Sequence, residues 1–144
     1  MGFTEAVRIC LSEKYITFSG RASRSEYWWF YLFFVMYVIV LVLCFVFLLG
    51  IQGLHDLSME IIMVFAILAL AVYIPFISVW VRRFHDKGLS GWLVLVTMLV
   101  SNIPYVGFLA AIWSLVMTIM KGTDGDNAYG PDPLGIQNSE DIFS

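Results

Sequence analysis

The residues best equipped for chemistry stand in short polar stretches between apolar runs. "FSGRASRSEYWW" carries Arg21, Arg24 and Glu26, and "RRFHDKGLSGW" carries Arg82, Arg83, His85 and Asp86. A histidine titrates near neutral pH and can serve as a base, while arginine presents a planar fork of donors suited to phosphate. Together they would suit an enzyme acting on lipid headgroups, with His85 as base and Arg82 or Arg83 on the phosphate. The His85-Asp86 dyad alone argues weakly for this, because adjacent residues on a helix do not face each other. No G-x-S-x-G, P-loop or H-E-x-x-H pattern accompanies it. "DGDN", Asp124 to Asn127, opens like a calcium loop but lacks the next spaced ligand and the closing glutamate, so it reads as a turn. No catalytic residue, metal site or cofactor is assigned.

Composition says what kind of element must hold these residues. Of 144 residues, 60% are hydrophobic and 13% charged, against roughly 45–50% and about 25% in soluble domains. A soluble domain of this size has too little interior for so much apolar surface, so lipid must be its solvent. The length allows one domain, taken as residues 1–133, followed by a polar acidic tail over 134–144. A net charge of −3 argues against a nucleic-acid partner, which would call for a basic stripe. Cys10 lies in the polar N-terminal stretch and Cys44 deep inside the first apolar run, too far apart in depth to pair.

Two charge-free runs, 27–51 and 61–81, are each long enough to cross a hydrocarbon core of about 30 Å as a helix. Lipid offers no hydrogen-bond partners, so both must be helical. The first exceeds the roughly 7–15-residue core of a signal peptide and reads as a retained span. Pro75 should kink the second, with neighbouring chain covering the freed carbonyl. A third run, 92–120, is interrupted by "SNIPY": Pro104 disfavours helix at Ile103 and Asn102 favours turns. It forms either one kinked helix or a short helical hairpin. Ahead of the first span, Phe3, Val7, Cys10, Leu11 and Phe18 share one side and Glu5, Arg8, Ser12 and Glu13 the other, the pattern of an amphipathic helix in the membrane interface.

Arginine and lysine in short loops favour the cytoplasm. Arg8, Lys14, Arg21 and Arg24 precede the first span, Arg82, Arg83 and Lys87 follow the second in what reads as a charged loop, and the intervening "QGLHDLSME" has none. The N-terminus and second loop are therefore expected inside. Trp28, Trp29, Trp80 and Trp92 cluster at the same interface, as headgroup anchors would. This places His55-Asp56 outside and His85-Asp86 inside, about a bilayer apart. They cannot share an ion that usually wants three or four protein ligands.

Lipid phosphates and headgroups suffice to explain Arg21, Arg24 and the tryptophans as a membrane anchor. Glu26 is not explained by anchoring, because a carboxylate at the edge of hydrocarbon is costly unless paired. Arg24 is too close in sequence to face it, whereas Arg82, Arg83 or Lys87 could reach it. The expectation is a polar cluster on the cytoplasmic face that ties the first span to the second, drawn from Arg21, Arg24, Glu26, Arg82, Arg83, His85 and Asp86.

In their order, these motifs resemble a family of small bacterial inner-membrane proteins, domain of unknown function 805. "FSGRASRSEYWWF" is similar to its N-terminal signature, "RRFHDKGLSGW" to its Arg-Arg-x-His-Asp loop, and "KGTDGDNAYGPDP" to its closing motif. The resemblance spans roughly residues 15–133. Ser23 and Leu89 stand where a basic residue is frequent, and Asp124 and Asp126 replace prolines, which leaves this copy less positive at the interface. The resemblance implies a multi-span bacterial membrane protein and carries over no catalytic residue. If the third motif works with the other two, Asn127, Tyr129 and Asp132 of the C-terminal stretch must return to the cytoplasmic face and join that polar cluster. Only the hairpin does that.

The expected fold is thus all-α: a polytopic helical membrane protein with four membrane segments, two long spans plus a broken short hairpin, preceded by an interfacial helix. The expected role is non-enzymatic, a binding, scaffold or regulatory protein of the inner membrane. Its expected partners are the bilayer, anionic lipid headgroups, and a second copy or another membrane protein. A transporter or channel subunit is the alternative, favoured by the "SNIP" break but weakened by spans without ionisable residues near the midplane.

Overall fold

A computed structural model describes residues 1–52 and 58–135; His55 and Asp56 lie outside the described residues. Five α-helices follow in order: α1 (Phe3–Arg8), α2 (Arg24–Gln52), α3 (Met59–Asp86), α4 (Trp92–Val100) and α5 (Val106–Ile119). After α1 the helix widens over Ile9–Glu13 into a π turn, closed by Lys14 N–H on the Ile9 carbonyl five residues back at 2.8 Å. The helix therefore ends short of Phe18, which was expected on its apolar side. Ala6 and Cys10 are its fully buried residues, and Glu5 and Arg8 point outward.

The two long helices, α2 and α3, are apolar and long enough to cross a membrane. At 29 and 28 residues they measure roughly 42–44 Å at 1.5 Å per residue, well beyond a hydrocarbon core of about 30 Å. They pack antiparallel through aromatic contacts along their length, Phe34 stacking on Phe76 at 4.3 Å and Phe45 meeting Phe65 edge-on at 5.1 Å. Away from that seam the surface is hydrocarbon: Val40, Leu43 and Phe47 on α2 and Ile67 on α3 are all more than half exposed. The inside is correspondingly polar, with Arg82 and Arg83 the largest fully buried side chains. Such a distribution suits lipid as the solvent.

Helix α3 does not stop at the last apolar residue, Val81, but runs through Asp86. Arg82, Arg83, His85 and Asp86 are therefore side chains of its final turns, buried rather than displayed on a charged loop. Lys87 follows as the C-cap, and Gly88, at φ +72°, supplies the left-handed residue that ends the helix.

The third run is a hairpin. Helices of 9 and 14 residues, about 14 and 21 Å long, flank a turn over 101–105, and neither alone is long enough to span. The turn takes the Asn102 N–H away from the Met98 carbonyl and the Asn102 side chain covers it, while the Thr97 carbonyl keeps its helical donor, Ser101 N–H at 2.9 Å, and gains the Ser101 hydroxyl besides. Ser101 Oγ donates to the Thr97 carbonyl at 2.6 Å, and Asn102 Nδ2 to that of Met98 at 2.8 Å. Gly107 packs directly on the turn, where a Cβ would meet the Ser101 carbonyl oxygen at 2.4 Å. The hairpin brings the end of α5 back beside the last turn of α3.

Pro75 is buried inside an α3 that continues through it. Proline has no N–H, so the Ala71 carbonyl one turn earlier loses its helical donor. The Tyr15 hydroxyl replaces it, donating to Ala71 O at 2.6 Å. Two residues after Tyr15, the Thr17 carbonyl accepts from Ser78 Oγ at 2.6 Å, so the stretch before α2 is strapped along α3. Tyr15→Phe should lower stability by about 1–3 kcal/mol by leaving that carbonyl unsatisfied. Tyr37→Phe removes a bond to Leu68 O, a carbonyl that keeps its helical donor, and should cost less. Unfolding of both variants in mild detergent measures the difference; equal losses would contradict the carbonyl-capping role.

Candidate functional site

Where the end of α3 meets α1, the start of α2 and the chain after α5, two buried ionic groups form. In the first, Glu26 in the opening turn of α2 pairs with Arg82. The carboxylate sits near the start of α2, where the helix dipole favours negative charge. The Cys10 sulfur lies 3.9 Å from Glu26 Oε1 and 3.8 Å from Arg82 Nη2, closing the group from the α1 side. Burial first, then the Glu26 charge, push the Cys10 thiol up to about 11, with Arg82 acting in the opposite direction, so it stays protonated at neutral pH. The Arg82 Nε has no hydrogen-bond partner among the described residues.

In the second group Asp86 holds two arginines. Arg21 reaches Oδ1 through Nε at 2.9 Å and Arg83 contacts Oδ2. Three buried guanidiniums thus face two buried carboxylates, and backbone oxygens absorb the excess. Arg21 donates to the carbonyls of Thr123 and Gly125, both at 2.6 Å. Arg83 donates to Thr118 O at 3.0 Å and to Met120 O, at the C-terminal end of α5 where the helix dipole is negative. The segment after α5 approaches closely because residue 122 is glycine: a Cβ there would meet Asp86 Oδ2 at 2.0 Å.

The third motif closes over this group. Thr123 N–H donates to the Asp86 carbonyl at 2.9 Å, and Asn127 Nδ2 to the His85 carbonyl at 2.9 Å. The Tyr129 ring stacks on His85, centroids 4.0 Å apart and planes within 6°. His85 Nδ1 lies 3.2 Å from the Gly20 carbonyl. Asp132 takes no part in the buried group. Its carboxylate accepts from Leu134 N–H at 2.9 Å and Gly125 N–H at 3.2 Å, holding the 124–134 turn, and the Leu134 bond chiefly draws its carboxyl below the usual range.

The structure therefore brings together Arg21, Glu26, Arg82, Arg83, His85, Asp86, Asn127 and Tyr129, and leaves two expected members aside. Arg24 is exposed, lining a cavity of about 110 Å³ with Lys121 and Asp124, and makes no ion pair among the described residues. Arg21 is corrected in the other sense: it is 6% exposed and spent on Asp86 and carbonyls, not held by lipid phosphate. Of the tryptophans, Trp29 and Trp92 are exposed and Trp28 half-buried. Trp80 instead turns inward between Phe76 and Phe84, its Nε1 buried without a partner among the described residues. Cys10, Ser78, Gly122 and Thr123 were not among the expected members. Cys10 carried a signal in its place on the apolar side of the N-terminal helix, and Gly122 and Thr123 in their place at the head of the closing motif; Ser78 carried none.

A family model described as a protein of unknown function (DUF805) matches residues 15–131. The chain belongs to that family. The DUF805 match begins at Tyr15, which caps the Ala71 carbonyl, and takes in every residue of the buried ionic groups except Cys10. Two Escherichia coli (strain K12) proteins are similar over most of their length. Inner membrane protein YhaH is 36% identical over 121 residues, covering 84% of this chain and 90% of YhaH. Inner membrane protein YhaI is 35% identical over 122 residues, covering 84% and 89%. No solved structure matches the chain.

Removing one partner of a buried ion pair strands the other charge, so Glu26→Gln should cost about 3–5 kcal/mol. Pairing it with Arg82→Met should recover much of the loss, because an apolar replacement leaves no charge behind. The same Glu26→Gln change removes a carboxylate that raises the Cys10 thiol and frees the arginine that lowers it. Alkylation of Cys10, followed against pH in a Cys44→Ser background, should shift to lower pH. An unchanged profile would uncouple Cys10 from the pair.

Proposed function

We propose that this protein is a non-enzymatic binding protein of the bacterial inner membrane, with four membrane segments and its ionic cluster on the cytoplasmic side. The observation that carries the reading is that the charged groups of the cluster are consumed internally. Both Asp86 oxygens are taken by arginines, and Arg21 and Arg83 are further spent on backbone carbonyls. Arginines so engaged offer no free fork to a phosphate, and His85 is oriented by a backbone carbonyl rather than by a carboxylate. The cluster instead resembles a clamp that holds a surface in shape.

Support for the orientation comes from charge. All eight Lys and Arg residues fall in the segments 8–24, 82–87 and 121, which meet at this one end of the bundle. Positive charge in short connections favours the cytoplasm, and the return of the chain through the α4–α5 hairpin puts residues 121–135 on the same side. A reporter active only in the cytoplasm, fused after Pro133, is expected to be active; a silent fusion would rule out four segments. Purified protein in liposomes should pass no ion and leave lipid headgroups unaltered by mass spectrometry. Flux, or conversion lost on His85→Asn, would replace this reading with a transporter or an enzyme.

A further inference from the structure

Beside the ionic cluster lies an apolar groove of about 600 Å³ between the second half of α3 and the start of α4. Ile77, Val81, Trp92 and Leu95 form its apolar wall, and Phe18 and Tyr129 stand at its polar end. Trp92 and Leu95 are 74% and 42% exposed, so the groove opens on the surface that the bilayer would bathe.

His85 supplies the polar end. Its residue is only 8% exposed, yet its ring borders the groove. Nδ1 faces the Gly20 carbonyl, which can only accept, so Nδ1 carries the proton. In the neutral ring, the main form above the ordinary imidazole value of about 6.5, Nε2 is then a bare acceptor. No donor among the described residues reaches it. Access is kept open by Gly91, where a Cβ would come within 3.0 Å of Nε2 and 2.6 Å of Val81 Cγ1. An acceptor that opens on an apolar groove and finds no donor among the described residues favours an occupant that brings one.

Charge narrows the choice of occupant. Among the described residues no lysine, arginine or carboxylate lines the groove, and the neighbouring arginines are turned into the cluster. A phosphate-bearing lipid would leave its anion uncompensated there. What fits is an uncharged head with one hydroxyl to donate, on a hydrocarbon body. We propose that this groove binds a neutral lipid alcohol of the diacylglycerol kind, its chains along Ile77, Val81, Trp92 and Leu95 and its hydroxyl donating to His85 Nε2. The assignment rests on the binding-protein reading above and names its ligand class.

The test uses the full chain in phosphatidylcholine nanodiscs containing a little diacylglycerol with a photoactivatable acyl chain. Crosslinks should map to 77–95, and unlabelled diacylglycerol should compete about fivefold better than phosphatidylcholine or phosphatidylglycerol, the factor one neutral hydrogen bond supplies. His85→Asn keeps a donor for the Gly20 carbonyl but deletes the Nε2 acceptor, and should abolish that preference. Leu95→Trp, at an exposed position that leaves the fold intact, should block labelling. Equal competition by all three lipids would mean bulk lipid merely wets the groove and would overturn the proposal. So would stronger competition by phosphatidylglycerol, a preference that survives in His85→Asn, or labelling lost as the protein is concentrated, which would give the groove to a second copy. These failures leave the binding-protein reading standing; ion flux or headgroup conversion in liposomes would remove that reading instead.

Discussion

A carboxylate at the edge of hydrocarbon must be neutralised from within the protein, and the arrangement of this chain follows from two of them. Glu26 opens α2 and Asp86 ends α3, so each sits where a membrane helix meets the headgroup region. Arg82 answers the first and ties α2 to α3. Asp86 answers to arginines from two directions, Arg21 before α2 and Arg83 on α3 itself, and those arginines reach on to the chain after α5. Breaking such a pair costs more than the intact pair contributes, because the survivor is left charged and buried. The cluster therefore acts mainly on which segments meet, holding together pieces of chain about a hundred residues apart.

The same solvent governs the backbone. In lipid every interruption of a helical ladder needs a replacement partner. Pro75 removes one donor and the Tyr15 hydroxyl supplies another, so a proline becomes the docking point of the N-terminal strap. At the α4–α5 turn the replacement for the Met98 carbonyl comes from the Asn102 side chain.

Much of this was legible in the sequence because lipid narrows the options. Hydrophobic run lengths marked α2 and α3, and the unpaired cost of Glu26 pointed to a basic partner across the bundle. The hairpin required a further clue, the similarity of the closing motif to those of a known family, since periodicity cannot distinguish one bent helix from two short ones. The misreadings share a cause: run length ends a helix where charge begins, yet α3 continues to Asp86 because its charges are internally paired. Arg21 was given to lipid phosphate for the same reason, since nothing in "GRAS" shows that a carboxylate waits 65 positions away. Gly122 and Thr123 stand at the head of the closing motif, but nothing in that motif shows that they pack on the Asp86 carboxylate and carbonyl.

Once α3 is extended to Asp86, its helical spacing sorts the motif by direction. Residues 71, 75, 78 and 82 recur three or four apart and share a face. That face meets the N-terminal strap and Glu26: Tyr15 on Ala71 O, Ser78 on Thr17 O, Arg82 on the carboxylate. Arg83 and Asp86 form a second face, turned to the end of α5 and the closing motif. Ile77, Val81 and His85 form a third, four apart, and border the groove against α4. In "RRFHD" the neighbours His85 and Asp86 therefore look in different directions, which is why their adjacency suggests a dyad and their geometry does not. The aspartate belongs to the clamp, and the histidine keeps an acceptor, Nε2, that no donor among the described residues takes and that lies toward the groove rather than the clamp.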